Sequence, residues 1–222
     1  MFDLIEDYWT RTLGIRAEPE VQVTVSHDDW NGILVVSTPA GIRILAPPGL
    51  CDAVRRLATA QKSGLLGNRA FWQKHFPDTE ILGPNLHHYL ADATHLVNHP
   101  AVRQVSADTI AGLRTKFSSE DWAESGFDRQ PLTLFGAFKA HRIVGAANLT
   151  TWDNRAADVG LLTLANARGA GWGTRLAVAA TAWSIRQHGI ARYRALDTNG
   201  PSLAIARRLG YIEYGSHLAI RL

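Results

Sequence analysis

Glycine and arginine residues cluster where a predicted strand gives way directly to a predicted helix. The segment reads Leu161-Leu-Thr-Leu-Ala-Asn-Ala-Arg168-Gly169-Ala170-Gly171-Trp172-Gly173-Thr174. The first N–H groups of a helix have no intrahelical acceptor, and the helix dipole places about half a positive charge there. Glycine lets an anion approach such a backbone because no Cβ stands in the way. With Arg168 beside these amides, the segment predicts a cradle for a phosphate or pyrophosphate group.

Two other nucleotide-binding loops share this physics and fit the segment poorly. A loop of the Walker type needs a lysine between its last glycine and a serine or threonine, and none stands between Gly173 and Thr174. A dinucleotide fold needs Gly-x-Gly-x-x-Gly near the start of a β-α-β unit, with a later acidic residue for the ribose. Here the spacing is Arg168-x-x-Gly171-x-Gly173, and antiparallel strands are predicted before it.

A second motif follows after a predicted helix and strand. It reads Asp197-Thr-Asn199-Gly-Pro-Ser202-Leu-Ala-Ile-Ala206-Arg-Arg-Leu209-Gly210-Tyr211. In this order, the two motifs resemble the acetyl-CoA signature and the second landmark of the GNAT superfamily of N-acetyltransferases. The resemblance covers roughly residues 102–222. Residues 1–100 show no comparable match, and they are either a degenerate half of the same fold or a family-specific extension.

The resemblance implies a set of cofactor-binding residues. The amides of residues 169–174 would bind the pyrophosphate of acetyl-CoA, and the end of the preceding strand would offer backbone groups to the pantetheine arm and the acetyl carbonyl. A backbone N–H there would stabilise the oxyanion, which is worth roughly 3 kcal/mol in acyl transfer. Asn199 would lie near the pantetheine, although an asparagine before Pro201 is also typical of a helix cap. The full predicted set is Leu162, Thr163, Leu164, Arg168, Gly169, Ala170, Gly171, Trp172, Gly173, Thr174, Asn199 and Ser202.

The resemblance also implies one catalytic residue, a base, and it leaves the general acid without a residue at the expected position. Asp158 lies where many relatives carry a glutamate at the start of the same strand, so it is the predicted base for the acceptor amine. An aspartate there also suits a strand edge. Ala206 stands where relatives often carry the tyrosine that protonates the leaving thiolate. Tyr193 and Tyr211 carry hydroxyl groups but also suit buried strand positions, so the acid is unassigned.

The predicted activity is the transfer of acetyl from acetyl-CoA, used as a co-substrate, to a primary amine by direct attack. The acceptor is an amine of a small molecule or of a protein. Two alternatives stay open: a GNAT-like domain that uses another acyl-CoA or another chemistry, and a non-catalytic module that binds acyl-CoA.

Hydrophobic periodicity and turn residues predict an α+β chain in two parts. Residues 101–222 give the order β-α-β-β-β-α-β-α-β, which favours a mixed, mostly antiparallel sheet flanked by helices. A strand at 158–164 leads through the glycine segment into a helix at 171–187, which Gly189 ends. Residues 1–100 predict an α+β module of unassigned role, with strands near 21–25, 33–37 and 42–45 and helices at 50–61 and 68–75.

Charge and composition narrow the class of partner. Residues 1–100 carry 8 basic and 11 acidic side chains, and residues 101–222 carry 15 and 9, so the net charge of +3 divides into −3 and +6. Because no run of lysine and arginine exceeds two, the excess favours a local polyanionic ligand over a nucleic acid. No apolar run approaches the roughly 20 residues of a membrane span.

The cysteine and histidine content bears on compartment and metal binding. A single cysteine, Cys51, rules out an intrachain disulfide and indicates a reducing compartment. The acidic N-terminal residues argue against a secretory signal, so we expect a cytoplasmic protein, monomeric or homodimeric, without nucleic-acid or membrane partners. No cysteine accompanies His87, His88, His95 and His99, so no metal site is predicted.

Overall fold

The computed structural model of the chain describes residues 1–26, 31–61, 63–152 and 156–222. Its contacts divide it into two compact units. The first unit consists of Met1–His87, Ala195–Gly200 and Glu213–Leu222. The second unit consists of His88–Arg194 and Pro201–Ile212.

Helices and strands alternate irregularly along the described chain. The helices are α1 (Phe2–Leu13), α2 (Cys51–Thr59), α3 (Ser63–Leu66), α4 (Arg69–His75), α5 (Ala107–Ala111), α6 (Ser119–Glu124), α7 (Trp172–His188) and α8 (Gly200–Arg208). The strands are β1 (Gln22–Val25), β2 (Gly32–Thr38), β3 (Gly41–Ala46), β4 (Glu80–Leu90), β5 (Val102–Gln104), β6 (Thr133–Lys139), β7 (Arg142–Trp152), β8 (Ala156–Thr163), β9 (Ala191–Leu196) and β10 (Ile212–Arg221). Two 3-10 turns cover Arg114–Lys116 and Ala165–Ala167. No helix in these described ranges has both the length and the apolar character needed to cross a membrane.

In the first unit the strands lie in the order β1-β3-β2-β10-β4. Strands β2 and β3 form the predicted hairpin, β1 pairs parallel to β3, and β10 pairs antiparallel to β2. An apolar cluster forms the core beneath α2 and α4, and the Trp72 indole donates to the Leu66 carbonyl at 2.7 Å. Strand β10 joins this unit through pairs from Ser216↔Ser37 to Arg221↔Gly32, a long-range pairing that the local pattern of residues 1–100 does not reveal.

Helix α1 is an element that the sequence reading missed. Its buried residues are Ile5, Tyr8, Trp9 and Leu13, which recur at the three- and four-residue spacing of one helix face. Gly14 ends the helix in the left-handed conformation at φ 66°. Acidic residues stand between these apolar positions in the sequence, and they obscure the helical periodicity of the apolar face.

In the second unit the strands lie in the order β9-β8-β7-β6-β5. Strands β5 to β8 pair antiparallel in succession, and β8 pairs parallel to β9. The prediction of a mixed, mostly antiparallel sheet flanked by helices is confirmed. The sequence reading lacked α6, a six-residue helix whose Ser118 cap accepts the Asp121 N–H at 2.9 Å.

Local residues explain the sharp turns of the second unit. Ala140 and His141 connect β6 to β7 at φ 46° and 65°, which gives the twist of a two-residue hairpin. Helix α7 begins after Gly171 and ends before Gly189, both left-handed, and the Gly189 N–H donates to the Ile185 carbonyl at 2.8 Å. Gly171 and Gly189 thus set where α7 begins and ends.

Candidate active site

The loop from β8 to α7 is exposed and built on left-handed glycines. After β8 the 3-10 turn Ala165–Ala167 leads to Gly169 and Gly171, at φ 77° and 78°. A Cβ built at either glycine would meet no atom within 4 Å, so these glycines serve backbone conformation and not close packing. The loop therefore presents its backbone and the start of α7 to solvent.

Gly173 has a different role from the two loop glycines. A Cβ at this position would lie 3.2 Å from the Ile205 Cδ1 of α8 and 3.6 Å from the Thr163 hydroxyl oxygen. A side chain at this position would require the Ile205 side chain of α8 to shift slightly. Gly173 thus lies where the first turn of α7 packs against the Ile205 side chain of α8.

Two arginines stand at the positive end of α7. The exposed Arg168 donates from Nε to the Thr163 carbonyl at 3.3 Å, and the Arg175 guanidinium lies over the Trp172 ring at 4.6 Å. The first turn of α7 carries no acidic residue. Cations at a helix start oppose the dipole, so this arrangement suits an anionic ligand.

Strands β8 and β9 separate shortly after they meet. Their pairing covers Ala157↔Ala191 and Asp158↔Arg192, and no further pair follows among the residues that the structure describes. The other edge of β8 pairs with β7 along its whole length. Strands β8 and β9 thus open a fork beyond Asp158 and Arg192, and β8 runs from this fork to the glycine loop.

The backbone of β8 faces the fork at alternate residues. Leu164 donates its N–H to the Val144 carbonyl at 2.9 Å and accepts the Ala167 N–H at 2.8 Å. Because backbone groups alternate along a strand, the N–H of Leu162 also points toward β7, whereas that of Thr163 points toward the fork. That Leu162, Thr163 and Leu164 offer backbone groups to the cofactor stays a prediction, and these directions favour Thr163.

Asp158 and Arg192 form an ion pair where the fork begins. Arg192 is 0% exposed and donates from Nε to one carboxylate oxygen and from Nη2 to the other, the latter at 2.7 Å. Arg194 Nη2 lies 4.0 Å from the same carboxylate. Burial alone would raise the pKa of Asp158, but the charges of Arg192, Arg194 and Arg129 and the hydrogen bond from Arg192 hold it below its ordinary value.

This ion pair bears directly on the predicted base. A carboxylate with a lowered pKa, both of whose oxygens accept from one guanidinium, is a poor proton acceptor. The base role of Asp158 stays a prediction, and the geometry supports a positioning role. The sequence analysis did not identify Arg192 as a site residue. Arg192 and Arg194 stand at alternate positions of a buried strand, and this pattern indicates two polar side chains on one sheet face.

The tyrosine hydroxyls are engaged inside the second unit. Tyr211 lies 2.7 Å from the Thr181 hydroxyl, and burial raises the pKa of Tyr211 above its ordinary value. Burial raises the pKa of Tyr193 to about 12, against a hydrogen bond from Ser202 that lowers it. Ala206 is fully buried. Ser202, predicted to contact the cofactor, thus contacts Tyr193.

Asn199 lies in the turn between β9 and α8, where it belongs to the first unit. Its side chain is exposed, and its backbone N–H donates to the Leu196 carbonyl at 3.0 Å. Its cofactor contact stays a prediction.

Fold and site together define an α+β protein in which a strand, a glycine loop and a helix start flanked by two arginines lie beside a forked pair of parallel strands. The family model described as Acetyltransferase (GNAT) family matches residues 99–211, just over half of the chain. This chain belongs to the GNAT acetyltransferase family, whose members transfer acyl groups from acyl-CoA. No curated protein matches the sequence.

Solved structures agree with this fold at low sequence identity. A GNAT acetyltransferase from Colwellia psychrerythraea is 15% identical with a TM-score of 0.53, over 80% of this chain and 75% of that one. A protein assigned to the same family from Novosphingobium aromaticivorans is 16% identical with a TM-score of 0.50, over 65% and 67%. A GCN5-related N-acetyltransferase-like protein from Streptococcus suis is 14% identical with a TM-score of 0.50, over 69% and 68%. These similarities show the fold.

Proposed function

We propose that this protein is an N-acetyltransferase that moves acetyl from acetyl-CoA to a primary amine. The observation that carries the proposal is the exposed loop Gly169–Gly171 leading into the first turn of α7, with two arginines at a helix start that has no acidic residue. A pyrophosphate supplies the negative charge that this arrangement favours. Strand β8 forms one side of the fork, and the same strand leads into the glycine loop.

The chemistry is direct transfer. The amine nitrogen attacks the thioester carbon, a C–N bond forms, the C–S bond breaks and coenzyme A leaves as a thiolate. The nitrogen loses one proton and the thiolate gains one. The N–H of Thr163, which points toward the fork, is suited to donate to the oxyanion, a contribution of roughly 3 kcal/mol in acyl transfer.

In this proposal Asp158 and Arg192 hold the two strands in place and do not accept the proton of the amine. Their ion pair ties β8 to β9 at the last paired residues, so it fixes where the fork begins. The attacking amine loses its proton to water, since the lowered pKa of Asp158 makes this carboxylate a weak acceptor.

One observation favours a second candidate, a domain that binds acyl-CoA without fast amine acetylation. The position of the expected acid is the buried Ala206, and the hydroxyls of Tyr193 and Tyr211 are engaged. A simple thiol has a pKa of about 8.5, so thiolate departure proceeds without a strong acid. We therefore retain the enzyme as the proposal.

Release of free coenzyme A separates the two candidates. Wild-type protein with acetyl-CoA should release coenzyme A faster when primary amines are added, with mass spectrometry showing the acetylated amine. Acetyl-CoA binding without any amine-dependent release would contradict the enzyme and support the binding module.

A further inference from the structure

The Asn148 side chain is a buried amide without a hydrogen-bonding partner. Asn148 lies on β7 and is 1% exposed, and neither its Oδ1 nor its Nδ2 has a partner among the described residues. Two other buried polar side chains of the second unit are paired, Thr181 with Tyr211 at 2.7 Å and Ser184 with the Ile190 carbonyl at 2.8 Å. An unpaired buried amide destabilises a fold, so a ligand contact gives a reason for its presence.

Two glycines lie next to the Asn148 amide and leave space for it. Gly160 lies opposite Asn148 on β8, and a Cβ there would overlap both the Asn148 Oδ1 and the Ser125 carbonyl oxygen. A Cβ at Gly126 would lie 3.4 Å from the Asn148 Nδ2 and 3.9 Å from the Thr150 hydroxyl oxygen. The amide therefore has glycine on two sides and polar oxygens close by.

The amide shares a sheet face with the ion pair at the fork. Asn148 and Thr150 alternate along β7, and they stand opposite Gly160 and Asp158 on β8. Asp158 in turn stands opposite Arg192 on β9. Asn148 is thus two residues along its strand from the position that faces the start of the fork.

We infer that the Asn148 amide is a specificity-determining contact for the acyl acceptor, an inference that rests on the proposed function. A carboxamide presents one acceptor and two donors side by side. Its complement is an amine with an adjacent carbonyl, as in an α-amino amide. The Asn148 oxygen accepts from the amine, and its nitrogen donates to the carbonyl.

The segment after α6 covers the amide and must move to admit an acceptor. The Ser125 carbonyl lies against Gly160, and Gly126 takes the left-handed conformation at φ 73°. Helix α6, which lies wholly in the described part of the chain, contains no buried residue. Trp122 of α6 and the following Phe127 pack against the apolar cluster around Ile110 and Leu134, so the opening must move these two rings as well.

Thermal stability separates a ligand contact from a folding contact. Asn148→Leu keeps the approximate shape without the polar atoms, so its melting temperature should equal or exceed that of the wild type. The control Thr181→Val removes a paired buried hydroxyl, and its melting temperature should fall by about 2–4 °C. A fall in Asn148→Leu as large as that in Thr181→Val, or failure to fold, overturns the inference.

Glycinamide and n-propylamine test the acceptor class. Glycinamide carries the adjacent carbonyl, and propylamine has a similar length without it. The ratio of kcat/KM for glycinamide over propylamine should fall at least tenfold in Asn148→Leu and stay unchanged in Thr181→Val. An equal ratio in Asn148→Leu and wild type, or no coenzyme A release by the wild type with glycinamide, overturns the inference.

Acetyl-CoA binding by the same proteins distinguishes a failure of the proposed function from a failure of the inference about Asn148. Calorimetry should give one affinity for wild type, Asn148→Leu and Thr181→Val. Absence of acetyl-CoA binding by the wild type contradicts the proposed function itself. Retained binding with no preference for glycinamide contradicts the role of Asn148 alone.

Discussion

Asp158 and Arg192 face each other at the last paired position of β8 and β9, and both carboxylate oxygens accept from the one guanidinium. Beyond this pair the two strands part. The ion pair therefore stands where the strand ladder ends and the proposed cofactor fork begins.

Asp158→Asn should destabilise the protein strongly, because it leaves the buried Arg192 charge without its carboxylate. We expect the free energy of unfolding to fall by roughly 3 kcal/mol or more, measured by urea denaturation. The double variant Asp158→Leu/Arg192→Met removes both charges and should recover much of this loss. A loss below about 1 kcal/mol in Asp158→Asn would mean that the pair contributes only as much as a surface salt bridge.

The stability advantage of the wild type over Asp158→Asn should depend on pH in one direction. The folded-state pKa of Asp158 lies below its ordinary value of 3.8. A depressed carboxyl pKa stabilises the fold above the unfolded value, and this stabilisation is lost as the pH falls through the folded value. The difference should be constant from pH 7 to about 5 and should shrink only below about pH 4. A difference that shrinks near pH 6 contradicts this assignment.

Tyr193→Phe and Tyr211→Phe should leave kcat within about threefold of the wild type, since neither hydroxyl is suited to protonate the thiolate. A tyrosine pKa of about 12 makes proton donation to a thiolate of pKa about 8.5 uphill by on the order of 5 kcal/mol. Tyr211→Phe should also lose about 1 kcal/mol of stability with the Thr181 hydrogen bond. A hundredfold fall in kcat with normal acetyl-CoA binding would identify the missing acid.

Much of the second unit follows from its sequence because its signals are local. Gly189 ends α7, and the Ala140–His141 turn joins β6 to β7, since each needs only its neighbours in the chain. The glycine loop is local in the same sense, because a strand, three glycines and a helix are consecutive. The loop and the parts of the fold nearest to it could therefore be predicted.

The contacts around the fork could not be predicted because they depend on strand register. Asp158 and Arg192 are 34 residues apart in sequence, and only the pairing of β8 with β9 makes them neighbours. The same holds for Asn148 and Gly160 on β7 and β8. Leu164 faces β7 for a related reason, since the direction of its N–H follows from the register and not from its identity.

Arg168→Ala should weaken acetyl-CoA binding and flatten its dependence on ionic strength. Arg168 is exposed beside the loop amides, so its attraction for phosphate is screened by salt. We expect an affinity loss of about threefold to tenfold at low salt, and a smaller loss at high salt. Arg103→Ala is the matched control, because Arg103 is an exposed arginine on β5 that lies over the Phe138 ring. Equal salt dependence in both variants would contradict the role of Arg168.

Calorimetric titration of acetyl-CoA into wild type, Gly171→Glu and Gly189→Glu tests the cofactor site most directly. Gly171 and Gly189 flank α7, both have positive φ, and neither has an atom within 4 Å of a built Cβ. The backbone strain is therefore comparable, and only the substitution at Gly171 places a negative charge in the proposed phosphate cradle. We expect the wild type and Gly189→Glu to bind with dissociation constants of about tens of micromolar or tighter, and Gly171→Glu to bind at least tenfold more weakly. No binding by the wild type, or equal affinity in Gly171→Glu, would contradict acetyl-CoA binding at this loop.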